Sequence, residues 1–236
     1  MSERLYFRQL LSGRDFATDS LLARQMANFT YVIGDVETRE ALLVDPAYAP
    51  DDLLAFLERE SLTLTGIVAT HYHADHVGGD LLGIAVPGIA EISDIVDVPI
   101  HVQASETIWV TQGTGVRVPP IVARQPGDVI HVGSIDVTLV HTPGHTEGSQ
   151  CLSFAGHLVS GDTLFLNGCG RTDLPGSDPH EMYVSLQERL AHLSDETLLY
   201  PGHFYSPDPF ATLGEVRANN AVLAPRGAEE WLAVFG

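Results

Sequence analysis

The chain has 236 residues, enough to bury a sizeable core, and no linker-like stretch or internal repeat divides it, so one domain over 1–236 is expected. With 12 basic against 31 acidic residues the net charge is −19, which disfavours nucleic acid and anionic membrane surfaces as partners. All 12 basic residues are arginine, so chemistry that needs a Schiff-base or phosphate-loop lysine is excluded.

The start, Met1-Ser-Glu-Arg-Leu-Tyr, lacks the basic and apolar regions of a signal peptide, and no apolar run reaches about 18 residues. A soluble, cytoplasmic protein is expected. The two cysteines, Cys151 and Cys169, fit reduced thiols better than a disulfide framework. The composition leaves a homo-oligomer open.

In chain order, Phe29 to Gly34 and Ala41 to Val44 are short apolar strands around a polar turn, and Asp45 ends the second. From Pro50 to Glu60 the leucines at 53, 54 and 57 recur at helical spacing, and the β-rich run Leu64 to Thr70 leads directly into His71. Residues 80–124 mix apolar runs with Gly and Pro. They are expected to hold a helix, a strand at Val98 to Val102 and a short helix through Trp109, and to form a helical insert. Gly133-Ser134 and Ala155-Gly-His157 mark two further hairpins. The spacing predicts a helix over Pro179 to Leu193, started by Asp178-Pro179, and a last strand over Thr197 to Tyr200. Helices packed outside two stacked sheets follow from this order.

Metal-competent side chains sit where these strands give way to loops. His71 and His73, two apart at the end of an extended run, can converge on one ion, and His145 completes a three-nitrogen set with an open coordination position. Asp75 and His76 point to a second ion, which His203 completes, and the Asp162 carboxylate can bridge the two. Two divalent ions at such spacing generate hydroxide near neutral pH and stabilise developing charge. Zinc suits these donors best, with iron or manganese as alternatives. His101, His131, His157, His180 and His192 lack such company and are expected to be structural or surface residues, while His141 could at most support the ligands.

The segment Thr70-His-Tyr-His-Ala-Asp-His-Val-Gly-Gly79, with His141-Thr-Pro-Gly-His145, Gly161-Asp162 and Pro201-Gly-His203, resembles the metallo-β-lactamase superfamily. The resemblance runs from about Asn28 to Asn220. It implies an α+β fold, a four-layer αββα sandwich with the metals in a groove at one edge of the sheets, and the ligand assignment given above. It also implies that Asp45 supports the histidine cluster. Within the superfamily the chain looks like the glyoxalase II branch and its persulfide dioxygenase relatives. Asn167-Gly-Cys-Gly-Arg171-Thr-Asp173 is similar to a loop of that group, so Arg171 becomes a candidate anchor for a substrate carboxylate or a partner of Asp162. Tyr205, beside His203, is a further candidate for substrate contact.

Two chemistries are compatible with this pattern. The first is hydrolysis of a thioester or related acyl substrate, a small-molecule thiol conjugate, by a metal-bridging hydroxide, with Asp75 orienting the nucleophile while ligating. The alternative is a mononuclear non-haem Fe(II) persulfide dioxygenase, in which His71, His145 and Asp162 form the two-histidine, one-carboxylate triad. Glutathione-binding glyoxalase II enzymes resemble this chain less at the end, because only Arg217 and Arg226 supply positive charge after His203.

Overall fold

Alternation of side chains along two sets of strands builds the centre of the molecule. The computed structural model describes residues 4–116, 121–224 and 226–236. Strand β1 (Leu5–Leu11) pairs antiparallel with β2 (Phe29–Asp35), and β2 with β3 (Glu40–Val44), while β4 (Thr63–Val68) runs parallel to β3. A small hairpin, β5 (Gly79–Leu81) and β6 (Ile84–Val86), stands apart. The first sheet is then continued in parallel by β7 (Ile100–Gln103) and β8 (Ile121–Arg124), giving the order β1-β2-β3-β4-β7-β8.

The second sheet comprises β9 (Val129–Val132), β10 (Ile135–His141), β11 (Gln150–Phe154), β12 (His157–Gly161), β13 (Leu198–Pro201) and β14 (Ala211–Thr212). Its spatial order is β14-β13-β12-β11-β10-β9, antiparallel except for the β12–β13 pair. Period-two alternation divides each strand between layers. Phe29, Tyr31 and Ile33 of β2 meet Val137, Leu139, Leu152 and Val159 between the sheets, whereas Val32 faces the opposite side. In the second sheet, Cys151, Leu158 and Leu199 likewise turn outward.

Helices close both outer faces. On the first sheet lie α1 (Leu21–Met26), α2 (Pro50–Arg59), α3 (Ala74–Val77), α4 (Ile89–Ile95) and α5 (Thr107–Thr114), contributing Ala23, Leu53, Leu57, Val77, Ile92 and Val110. The second sheet carries α6 (Pro179–Val184), α7 (Leu213–Asn219) and α8 (Ala228–Phe235), which bury Met182, Val216 and Trp231. Helix α2 begins as its sequence dictates, with Pro50 in the first turn and Asp51 and Asp52 at the positive end of the helix dipole. Helix α6 is capped by the Asp178 carboxylate, which accepts from the backbone amides of His180 and Glu181. It gives way to a π-helical turn at Ser185–Arg189, so it stops short of the predicted Leu193.

Within 80–124 the helix, the strand and the short helix expected from the sequence stand as α4, β7 and α5. Strands β7 and β8 extend the first sheet, and among the described residues of this stretch α4, α5 and a 3-10 turn at Ala104–Glu106 are helical. The predicted elements also omit β1, α1 and the C-terminal pair α7 and α8. No helix among the described residues is long and apolar enough to cross a membrane.

His101 of β7 is buried and accepts at Nδ1 from Nε and Nη2 of Arg124, each 3.1 Å away. Burial, reinforced by the Arg124 charge, lowers its pKa to about 4. The unfolded chain, with an ordinary value near 6.5, therefore binds this proton more readily, so stability is lost as pH falls from about 6.5 to about 4. His101→Gln should remove a part of that loss of order 2 kcal/mol, measured by urea denaturation at pH 7 and pH 4.5. An identical pH slope in wild type and variant would contradict the assignment.

Candidate metal centre

The ends of β4, β10, β12 and β13 open onto one edge of the sandwich, and the loops that follow them carry His71 to His76, His145, Asp162 and His203. Loop contacts hold these segments together. The Thr70 carbonyl accepts from Gln150 N at 2.9 Å, Gly202 N donates to the Gly161 carbonyl at 2.8 Å, and Phe29 N donates to the Gly202 carbonyl at 2.8 Å. Two glycines are required by this crowding. Gly161 has φ +50 and a side chain there would press on Thr70, while one at Gly202 would collide with the Asp162 carboxylate.

The structure brings all seven predicted ligands into one buried cluster. His71, His73 and His145 form one group of converging donors, and Asp75, His76 and His203 form another. His73 Nδ1 lies 3.0 Å from Nε2 of both His71 and His145. In the second group, His76 Nε2 is 3.3 Å from His203 Nε2 and 3.5 Å from Asp75 Oδ2. Asp162 lies between the groups, with Oδ1 3.5 Å from His76 Nε2 and Oδ2 3.6 Å from His145 Nε2 and 3.3 Å from His203 Nε2.

The hydrogen bonds behind the rings fix their tautomers. His145 Nδ1 is 2.9 Å from the Arg171 carbonyl and His203 Nδ1 is 2.7 Å from the Met26 carbonyl. A carbonyl only accepts, so each Nδ1 carries the proton and each Nε2 presents a lone pair. Asp45 does the same for two further rings. It accepts from His76 Nδ1 at 2.9 Å and from the Thr70 hydroxyl at 2.6 Å, and that hydroxyl in turn accepts from His71 Nδ1 at 3.0 Å. The Thr70 amide adds a third bond to Asp45 at 2.7 Å. Asp45 is thus both the turn residue after β3, at φ +53, and the anchor of the histidine cluster.

The charges fit a cation. Burial, then the neighbouring His76, holds His71 well below the ordinary histidine range, and burial with His145 alongside lowers His73 to about 4. Both rings are therefore neutral at pH 7, and their nitrogens converge to 3.0 Å as a donor set that suits a cation. Burial also opposes charge on His76, but Asp75 and Asp162 overcome it and raise the ring to about 10. On Asp162 burial is outweighed by His203 and His76, which hold it well below the carboxylate range. Its Oδ1 is buried without a hydrogen-bond partner in the protein. A buried, ionised oxygen of this kind requires a positive partner, and the surrounding donors suit a divalent metal ion.

The remaining predicted residues divide. The Tyr205 ring stacks on His203 at 4.6 Å and stays half-exposed, at the mouth of the second group. The Arg171 side chain is neither a partner of Asp162 nor buried; it is exposed and forms a two-pronged pair with Asp173 at 2.8 Å, serving the site through its backbone carbonyl. His141 meets the Glu147 carbonyl at 3.0 Å. Sequence reasoning missed Asn28, Tyr48 and Glu106. Buried Glu106 accepts from the Thr146 hydroxyl and the Gly148 amide, both at 2.7 Å, bracing the loop that carries His145, and burial pushes its carboxyl up. No local motif marks it. Next to His73, Tyr72 stacks on Trp109 of α5 at 5.5 Å, forming an aromatic wall beside the cluster.

The metallo-beta-lactamase superfamily model matches residues 24–203, the span that carries every ligand. The chain belongs to the metallo-β-lactamase superfamily. This superfamily member is 31% identical to the mitochondrial persulfide dioxygenase ETHE1 of Homo sapiens, over 97% of the chain and 86% of that protein. It is 36% identical to a hydroxyacylglutathione hydrolase of a Polaromonas species, over 75% of the chain but only 62% of that relative. The crystal structure of ETHE1 from Myxococcus xanthus superposes with a TM-score of 0.80 at 28% identity, covering 98% of this chain and 89% of that one. These matches place the two sheets and their outer helices in the superfamily's αββα sandwich.

Asp45→Asn removes the charge that holds His76 and, through Thr70, His71. Metal affinity should fall about 10- to 100-fold, measured by competition with a chromophoric chelator, with the far-ultraviolet circular dichroism unchanged. Unaltered affinity would contradict the anchoring role.

Proposed function

We propose that this protein is a metal-dependent hydrolase of a thioester or related acyl substrate, working on a small-molecule thiol conjugate with two divalent ions, zinc by preference. The observation that carries the proposal is the placement of Asp162, whose carboxylate reaches both donor groups, with Oδ2 between His145 and His203 and Oδ1 toward His76. His71, His73 and His145 would hold one ion, Asp75, His76 and His203 the other, with Asp162 shared. Ions held this way supply an activated water at neutral pH and stabilise negative charge on the acyl oxygen. A thiolate is a good leaving group, so the absence of a proposed general acid costs little.

The chain's own residues do the rest. Tyr72 and Trp109 offer an apolar face beside the first group, and Tyr205 flanks the second. Arg217 is bonded to Asp195 and to the carbonyls of Leu190 and Ala191, and Arg226 pairs with Glu230, so neither tail cation is placed to receive a substrate carboxylate. This supports a thiol carrier other than glutathione. Cys151 and Cys169 are free thiols, which suits a reducing compartment such as the cytoplasm.

A second reading has its own support. The human persulfide dioxygenase aligns with nearly the whole chain, whereas the hydroxyacylglutathione hydrolase extends well beyond the match. Under that reading His71, His145 and Asp162 hold a single Fe(II). Metal analysis of protein purified without added metal, with thioester hydrolysis and oxygen uptake measured on the same sample, separates the two. The hydrolase proposal expects two ions per chain and thioester cleavage without oxygen consumption. One iron per chain with persulfide-dependent oxygen uptake would overturn it. Asp162→Ala should reduce turnover to background, and retained turnover would remove the metal assignment altogether.

A further inference from the structure

Asn28 lies at the start of β2, where it bridges to His203 in the backbone, and its side chain is buried. The terminal Nδ2 is 3.0 Å from Asp75 Oδ2, 3.3 Å from His76 Nε2 and 3.5 Å from His203 Nε2. Those three atoms are themselves 3.3 to 3.5 Å apart. Four atoms at mutual distances of 3.0 to 3.5 Å have the spacing of a tetrahedron of ligands, whose centre lies about 2.0 to 2.1 Å from each corner, the length of a zinc bond to nitrogen or oxygen.

The fourth corner is an amide, and its other end decides which atom can occupy it. Tyr48 Oη lies 3.0 Å from Asn28 Oδ1. A phenol hydroxyl both donates and accepts, so it satisfies the amide in either orientation. With Nδ2 inward, Asn28 donates to Asp75 and Tyr48 donates to Oδ1. With the amide turned, Oδ1 faces the three ligand atoms and Tyr48 accepts from Nδ2. The Nδ1 protons of His76 and His203 are committed to Asp45 and the Met26 carbonyl, so both rings turn Nε2 toward this corner in either case and offer its lone pair to a bound ion. Tyr48 itself sits at φ +78, a conformation that a bulky side chain rarely adopts, on the same short turn that holds Asp45 at φ +53.

We propose that the side-chain oxygen of Asn28 is a further protein donor to the second divalent ion, beside Asp75, His76, His203 and the shared Asp162, and that Tyr48, by accepting from the turned amide, sets how tightly that ion is held. The proposal rests on the two-ion reading of the site and adds to it a residue outside the seven ligands. It makes the second site the adjustable one, since the first group has no comparable amide beside it among the contacts described.

The test is equilibrium zinc titration of the full metal-stripped chain, read by calorimetry and by elemental analysis after dialysis. Wild type should bind two ions. Asn28→Leu should leave the first ion unchanged and weaken the second at least about tenfold. Asn28→Asp, which keeps the shape and supplies a charged oxygen, should tighten the second ion, whereas a merely structural asparagine predicts no gain. Tyr48→Phe should weaken the second ion by a smaller factor. If Asn28→Leu holds the second ion within twofold of wild type, or Asn28→Asp fails to tighten it, the proposal is overturned with the two-ion reading intact. A wild type that takes up only one ion would overturn both. Asn28→Asp also serves where the leucine variant does not fold.

Discussion

The site depends on one constraint, the commitment of imidazole Nδ1 protons to fixed oxygen acceptors. Arg171 and Met26 carbonyls hold His145 and His203, and Asp45 holds His76 directly and His71 through Thr70. Each bond fixes a ring orientation and leaves Nε2 as the atom that faces inward, so four Nε2 atoms are aimed at the site before any ligand is bound. Two of these held atoms, Nε2 of His71 and Nε2 of His145, meet His73 Nδ1 at 3.0 Å. The lone pairs are held by bonds behind the rings, and a cation in front relieves their mutual repulsion.

The sandwich exists in a form that allows this. Acceptors come from both halves of the chain, and loop-to-loop bonds such as Gln150 to Thr70 and Gly202 to Gly161 lock the ends of the two sheets together. The two residues in left-handed backbone on the turn after β3, Asp45 and Tyr48, both end at the metal cluster. Such conformations are sustained only where the surrounding structure over-determines them, here through the bonds that each side chain makes. Gly161 and Gly202 leave space for the Asp162 carboxylate to reach both donor groups.

Much of this was legible in the sequence because it depends on local spacing. The convergence of the seven candidate ligands, the β2–β3 hairpin, helix α2 and the strands that end at these residues follow from periodicity and from side-chain type at strand ends. What was not legible depends on contacts between distant segments. Asn28 and Tyr48 precede the histidine cluster by over 20 residues and carry no motif, and Glu106 acts on a loop 40 residues later. The pairing of Arg171 with Asp162 is absent for a related reason: Asp173, two residues on, pairs with its side chain, and its carbonyl meets His145. The strand expected at Val98 to Val102 is β7, but its place in the first sheet, with β8 beyond it, escaped because a parallel strand has no turn partner nearby in sequence to announce it.

Anomalous diffraction from crystals grown with zinc tests the shared Asp162 most directly. Two peaks roughly 3.5 to 4 Å apart, one among His71, His73 and His145 and the other among Asp75, His76 and His203, with the Asp162 carboxylate between them, are expected. A single peak held by His71, His145 and Asp162, with the second group empty at saturating zinc, would contradict the two-ion arrangement on which the hydrolytic function rests.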